Sequence, residues 1–91
     1  MLNKEMFRKT KNIKGVTAIG TTRASIDVKG SDITLFCESG AIWINPTGNA
    51  VADDTAIKLT EGTAIELNVE DKLSIISDGT GGKYQYIIWK V

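Results

Sequence analysis

The chain is predicted to be all-β: a small antiparallel β-sandwich, jelly-roll-like, carrying an extended basic N-terminal arm. Three observations carry this. Apolar and polar residues alternate with a period of two, as in Ile57-Lys58-Leu59-Thr60 and Ile65-Glu66-Leu67-Asn68-Val69. Turn formers such as Glu61-Gly62 and Asp78-Gly79 separate these runs at short spacing. No segment of the body repeats with a helical period. A period of two gives one buried and one wet face. Repeated between short turns, it marks an antiparallel sandwich or barrel.

The elements follow in order. Residues 1–14 show no period of two. Leu2 and Met6 permit a helical turn, but so short a helix is marginal without something to pack on, so an extended or partly helical arm is expected. Val16-Thr17-Ala18-Ile19 forms a first strand, closed by Gly20. Ala24, Ile26 and Val28 alternate with Ser25, Asp27 and Lys29 in a second, and Gly30-Ser31-Asp32 is a turn. A third strand covers 33–38, with Ser39-Gly40 as its turn, and Ala41-Ile42-Trp43-Ile44-Asn45 is a fourth. Pro46-Thr47-Gly48-Asn49 ends it, because proline cannot join a central ladder. Strands five to seven fall near 56–60, 63–69 and 72–77. The glycine-rich loop Asp78-Gly79-Thr80-Gly81-Gly82 leads into an eighth strand, 84–91. That last strand is apolar on both faces and is expected to be central rather than an edge.

Alternation also assigns faces. Ile33, Leu35, Cys37, Ile42, Ile44, Ile65, Leu67 and Val69 are the expected core. Phe36 and Trp43 point the other way. With Tyr84 and Tyr86 they form a surplus aromatic set, suited to a subunit interface or to a ligand platform.

Composition bounds the rest. At 91 residues the chain holds one domain, 15–91, behind the arm 1–14. A domain of this size buries somewhat over ~60% of its unfolded surface, and the 42% hydrophobic fraction suits a globular fold. The single cysteine, Cys37, has no partner for an internal disulfide. It shares parity with Ile33 and Leu35 and reads as a small buried hydrophobe. No histidine is present to activate it as a nucleophile. One thiol without a disulfide fits a reducing compartment. No apolar run reaches the roughly 18 residues of a membrane span, and the N-terminus lacks a signal-peptide core. The expectation is a protein made in a cytoplasm, with no membrane partner.

The net charge of zero hides a split. Residues 1–29 hold seven basic and two acidic side chains, a net of +5, and residues 30–91 hold four and nine, a net of −5. Lys4, Arg8, Lys9, Lys11 and Lys14 therefore make a basic arm beside an acidic body. The arm has three readings: a segment that touches nucleic acid, a docking segment for the acidic body of a neighbouring copy, or a solvated terminus.

No motif supplies catalytic chemistry. Asp53-Asp54 and Glu70-Asp71 are sequential pairs, whereas a glycosidase needs two carboxylates facing one sugar across ~5–10 Å. They read as turn acids. No calcium-loop spacing is present, and without histidine a zinc site lacks its ligands. Asp78-Gly79-Thr80-Gly81-Gly82-Lys83 looks like a phosphate cradle, but a strand follows it where that motif needs a helix. The expectation is a chain that is not an enzyme, with no metal and no cofactor.

One resemblance sharpens this. It spans residues 24–91: Ser25-Ile26-Asp27-Val28, then Ala41-Ile42-Trp43-Ile44-Asn45 before a Pro-Thr-Gly turn, a small-residue loop from Gly48 to Thr55, the run from Ile57 to Leu67, Lys72-Leu73-Ser74-Ile75-Ile76-Ser77-Asp78-Gly79, and a closing strand. This order resembles the small β-sandwich virion proteins of tailed bacteriophages, which decorate capsids or sit at neck, tail or fibre bases. The resemblance implies a structural virion component acting by protein–protein binding. It implies self-assembly, a homotrimer first, and docking on the major capsid or neck and tail proteins. It carries no catalytic residues. The basic arm and the aromatic set give the candidate partner or subunit interface: Lys4, Arg8, Lys9, Lys11, Lys14, Phe36, Trp43, Tyr84 and Tyr86. The alternative is a carbohydrate-binding module of a receptor-recognition system, with a glycan on the same aromatic set. A nucleic-acid-binding barrel is disfavoured by the acidic body.

Overall fold

The computed structural model describes residues 9–90, and the side chains of 10–89. Seven strands are formed: β1 (Lys9–Ile19), β2 (Ala24–Asp27), β3 (Asp32–Asn45), β4 (Ile57–Thr60), β5 (Ala64–Asn68), β6 (Lys72–Ile76) and β7 (Gly82–Lys90). Every pairing is antiparallel, and no helix occurs among the described residues. The all-β sandwich is therefore what the chain adopts.

One strand builds both layers. The first half of β3 pairs with β7 and β5, giving sheet A in the order β1-β7-β3-β5. Its second half pairs with β4 and β6, giving sheet B in the order β4-β3-β6-β2. The crossing is at Gly40, whose φ of 67° is a left-handed conformation that glycine adopts without a Cβ penalty. A side chain there would also collide with the Gly81 carbonyl. The expected Ser39-Gly40 turn is thus a bend within a single strand, and the expected third and fourth strands are one.

The pairing of β3 with β7 slips a register between Cys37 and Ser39. Such a bulge adds a residue and re-aims the chain. Across it the inward parity of β3 changes from odd (Ile33, Leu35, Cys37) to even (Ile42, Ile44). Both sets meet Ile26, Val28, Leu59, Val69, Leu73, Ile75 and Ile88 between the sheets. Ile65 and Leu67 pack against that core half-buried.

β7 is central, between β1 and β3, as its two apolar faces predict. The arm is different. Residues 9–14 belong to β1 and pair along β7 from Lys9↔Lys90 to Lys14↔Tyr86. The described part of the arm is a strand continuous with the body, and a register shift between Lys14 and Thr17 falls at the expected boundary.

Candidate functional site

Four aromatic residues were expected on one face, and the structure distributes them over three places. Tyr84 and Tyr86 lie opposite Cys37 and Leu35, and directly opposed residues share a face. They point inward. Tyr84 belongs to the core and Tyr86 packs against it, their rings stacked 6.5 Å apart. Burial and the neighbouring Tyr86 push the Tyr84 hydroxyl above its ordinary pKa. The error lies in β7, where both faces are apolar and alternation alone offers two equal choices.

Trp43 faces outward from sheet B, beside Lys58 and Ile76. It is nonetheless only 8% exposed and stands outside the inter-sheet cluster. Its cover comes from the chain itself. The Lys58 ammonium sits 5.2 Å from its ring centre. The segment after β3 turns back through Asn45, whose Oδ1 accepts from Thr47 N and Gly48 N. That segment then binds the outer side of sheet B, where Ala50 N donates to the buried Ser74 Oγ and Arg23 Nε donates to Ala50 O. Ala50 is fully buried.

Phe36 faces outward from sheet A and is half-buried. Cross-strand register puts Ile13, Ile87, Thr34 and Glu66 in one row and Gln85, Phe36 and Ala64 in the next. Trp89 lies opposite Thr10 and Asp32, and its indole Nε1 donates to Thr34 Oγ1 at 2.9 Å. That bond lays the ring along the sheet. Phe36, Ile87 and Trp89 are half-buried, while Ile13 and Val16 are 64% and 53% exposed. Both belong to β1, and Val16 sits in the register shift between Lys14 and Thr17. Ile13, Val16, Ile87 and Trp89 were not in the expected interface set. Their signal was the second apolar face of β7, joined to a strand whose alternation two register shifts had erased.

Of the basic residues, Lys11 and Lys14 are exposed on β1, and Lys11 Nζ donates to Ser31 Oγ at 3.1 Å. Lys9 begins β1. Lys4 and Arg8 lie outside the described residues.

A groove of about 580 Å³ opens beside β2, between the residues after β3 and the β5–β6 turn. Arg23 and Lys72 line it together with Glu70 and Asp71, so no single sign of charge is focused there. Elsewhere the chemistry is quiet. Cys37 is buried, and burial, then the charge of Glu61, raise its thiol pKa, which disfavours the reactive thiolate. Asp78 accepts from the Thr80 hydroxyl and N–H, closing the turn that had looked like a phosphate cradle. No group of three metal-ligating side chains occurs among the described residues. No helix there is long and apolar enough to cross a membrane.

No protein-family model and no curated relative matches the chain. Solved structures do. A cupin-2 domain containing protein from Shewanella frigidimarina superposes with a TM-score of 0.58 at 11% identity, over 91% of this chain and 84% of that one. A conserved protein of unknown function from Streptococcus pyogenes gives 0.57 at 12% identity, over 93% and 74%. At such identity the likeness is one of fold. Cupins are double-sheet jelly rolls, in keeping with the two layers that β3 joins here.

Proposed function

We propose that this chain is a non-enzymatic assembly domain that binds protein through the outer face of sheet A, and that its place is the virion of a tailed bacteriophage. One observation carries the proposal. A small domain that buries the outward Trp43 under its own chain leaves the exposed Ile13 beside the half-buried Ile87, Trp89 and Phe36 on the outer face of sheet A. Contiguous exposed apolar surface of this kind marks a binding surface, and aromatic residues are enriched in the centres of such surfaces. The virion placement rests on the sequence resemblance. The absence of histidine from the chain and the burial of Cys37, which raises its thiol pKa, favour binding over catalysis. The glycan reading loses its platform, because the four aromatics do not share a face.

Two measurements test this. Replacing Ile87 by Ser should leave the fold intact and weaken association, with itself or with a virion partner, by about tenfold, the value of one buried aliphatic side chain. A variant that associates normally, or a wild-type protein that binds a glycan array and no protein, overturns the assembly role. Mass spectrometry of purified particles should find the chain as a stoichiometric component, and its absence overturns the virion placement.

A further inference from the structure

We propose that the groove beside β2 binds a short peptide with both ends free, its carboxylate held by Arg23 and Ser74 and its ammonium by Glu70 and Asp71. The site lies on sheet B and does not depend on the outer face of sheet A.

The groove has room for such a ligand. Its volume of about 580 Å³ falls within the ~300–1,000 Å³ usual for small-molecule sites. One wall is the segment after β3, Pro46 to Asn49, and the other is the β5–β6 turn. Between them β2 and β6 are paired, Ser25 with Ser74 and Asp27 with Lys72.

One end suits an anion. Ala50 fixes two polar groups there: its N–H donates to Ser74 Oγ at 2.9 Å, and its carbonyl accepts from Arg23 Nε at 2.8 Å. Ser74 is only 7% exposed and lines the groove, yet its own hydroxyl proton has no acceptor among the described residues. A buried donor without an acceptor is costly, and the groove is where this one can find it. The Nε bond orients the Arg23 fork, and its two terminal amino groups have no acceptor among the described residues. A guanidinium oriented in this way matches a carboxylate through two parallel bonds. The other cation of the groove, Lys72, stands 3.9 Å from Asp27.

The opposite end suits a cation. Glu70 and Asp71 are exposed and line the groove, and neither carboxylate has a partner among the described residues. They repel a multiply charged anion, and a simple carboxylate leaves them unanswered. A ligand with both charges satisfies both ends. Spacing sets its length. Asp71 precedes Ser74 by three residues, or ~10 Å at the rise of a strand. An extended tripeptide spans ~10 Å between its ends, and a single amino acid falls short.

Titration of the full chain with tri-alanine, followed by NMR, tests this. Binding should saturate in the millimolar range and shift the amide signals of Arg23, Ser74 and Asp71. N-acetylation and C-terminal amidation of the peptide should each weaken binding about tenfold, the value of one charge-assisted contact. Glu70→Gln with Asp71→Asn changes exposed side chains alone. It should abolish the effect of acetylation and keep that of amidation, and Arg23→Gln should do the converse. If Arg23→Gln fails to fold, the amidated peptide on the wild-type chain still tests the anion end. The absence of saturable binding, or shifts confined to residues outside the groove, overturns the site. Acetylated tri-alanine that binds as tightly as the free peptide overturns the cation end, and with it the two-ended ligand.

Discussion

The two sheets share a strand and differ in what lies over them. Both present an aromatic residue outward from β3, Phe36 on sheet A and Trp43 on sheet B. On sheet B the residues after β3 fold back, and Trp43, Ala50 and Ser74 are all buried. On sheet A the outer face carries the half-buried Phe36 and Trp89 and the open Ile13. An outward aromatic is therefore no guide to a binding face until the path of the following loop is known. In this fold the outward aromatic of sheet B is buried at Trp43, and that of sheet A is only half-buried at Phe36.

The largest effect should come from breaking the covered side. Trp43→Ala removes a buried aromatic and is expected to cost roughly 3–5 kcal/mol, read as a lowered denaturation midpoint. Association of the fraction still folded should be unchanged. A Trp43→Ala protein of normal stability that fails to associate would place the interface on sheet B and reverse the comparison.

Ser74→Ala sharpens the same side. The Ala50 N–H would lose the Ser74 Oγ to which it donates at a buried site, and an unsatisfied buried donor costs about 1–3 kcal/mol. Amide hydrogen exchange should show residues 46–56 opening faster while sheet A keeps its protection. Uniform loss of protection would mean that the cover and the sandwich unfold as one unit.

The open side should answer in the opposite sense. Ile13→Ser alters a side chain that water already reaches, so stability should move by no more than about 0.5 kcal/mol. Association should weaken about tenfold if Ile13 is buried by a partner. Equal and unaltered association in light scattering would remove Ile13 from the interface.

Much of this contrast was legible in the residues, and the rest was hidden for definite reasons. The core parity of Ile33, Leu35 and Cys37, and of Ile42 and Ile44, reads directly from alternation. The change between the two sets invites a turn at Ser39-Gly40. Only the partner strands reveal a bulge and a bend instead, because a left-handed glycine serves both. Tyr84 and Tyr86 were assigned outward since β7 is apolar on both faces. Their facing residues, Cys37 and Leu35, settle it, and that pairing is non-local. Residues 9–14 show no period of two because β1 shifts register within them, between Thr10 and Asn12, and again just after them, between Lys14 and Thr17. The outer face of sheet A was missed for the same reason, since its most exposed apolar side chain, Ile13, lies on β1.

The smallest effect concerns how the cover on sheet B is pinned. Asp53 lies in that segment, and its Oδ1 accepts from the Thr55 hydroxyl and N–H. The hydroxyl bond first, and then the backbone bond, hold the Asp53 carboxyl below its ordinary 3.8, because both favour the ionised form. A carboxyl whose folded pKa lies below its unfolded one binds fewer protons in the native state. Its contribution to stability is therefore complete above the unfolded value and is lost as the pH falls through the folded value. Asp53→Ala should accordingly be slightly less stable than wild type at neutral pH. The gap should close in acid, where the wild-type carboxyl is also protonated. Asp53→Asn keeps an acceptor oxygen but no titrating group, so its difference from wild type should shrink with acid while its own melting temperature shows no Asp53-linked step. Thermal melts of the three proteins across the acid range would decide it. A gap between wild type and Asp53→Ala that is constant with pH would mean that the turn at Asp53 does not help to hold the cover in place.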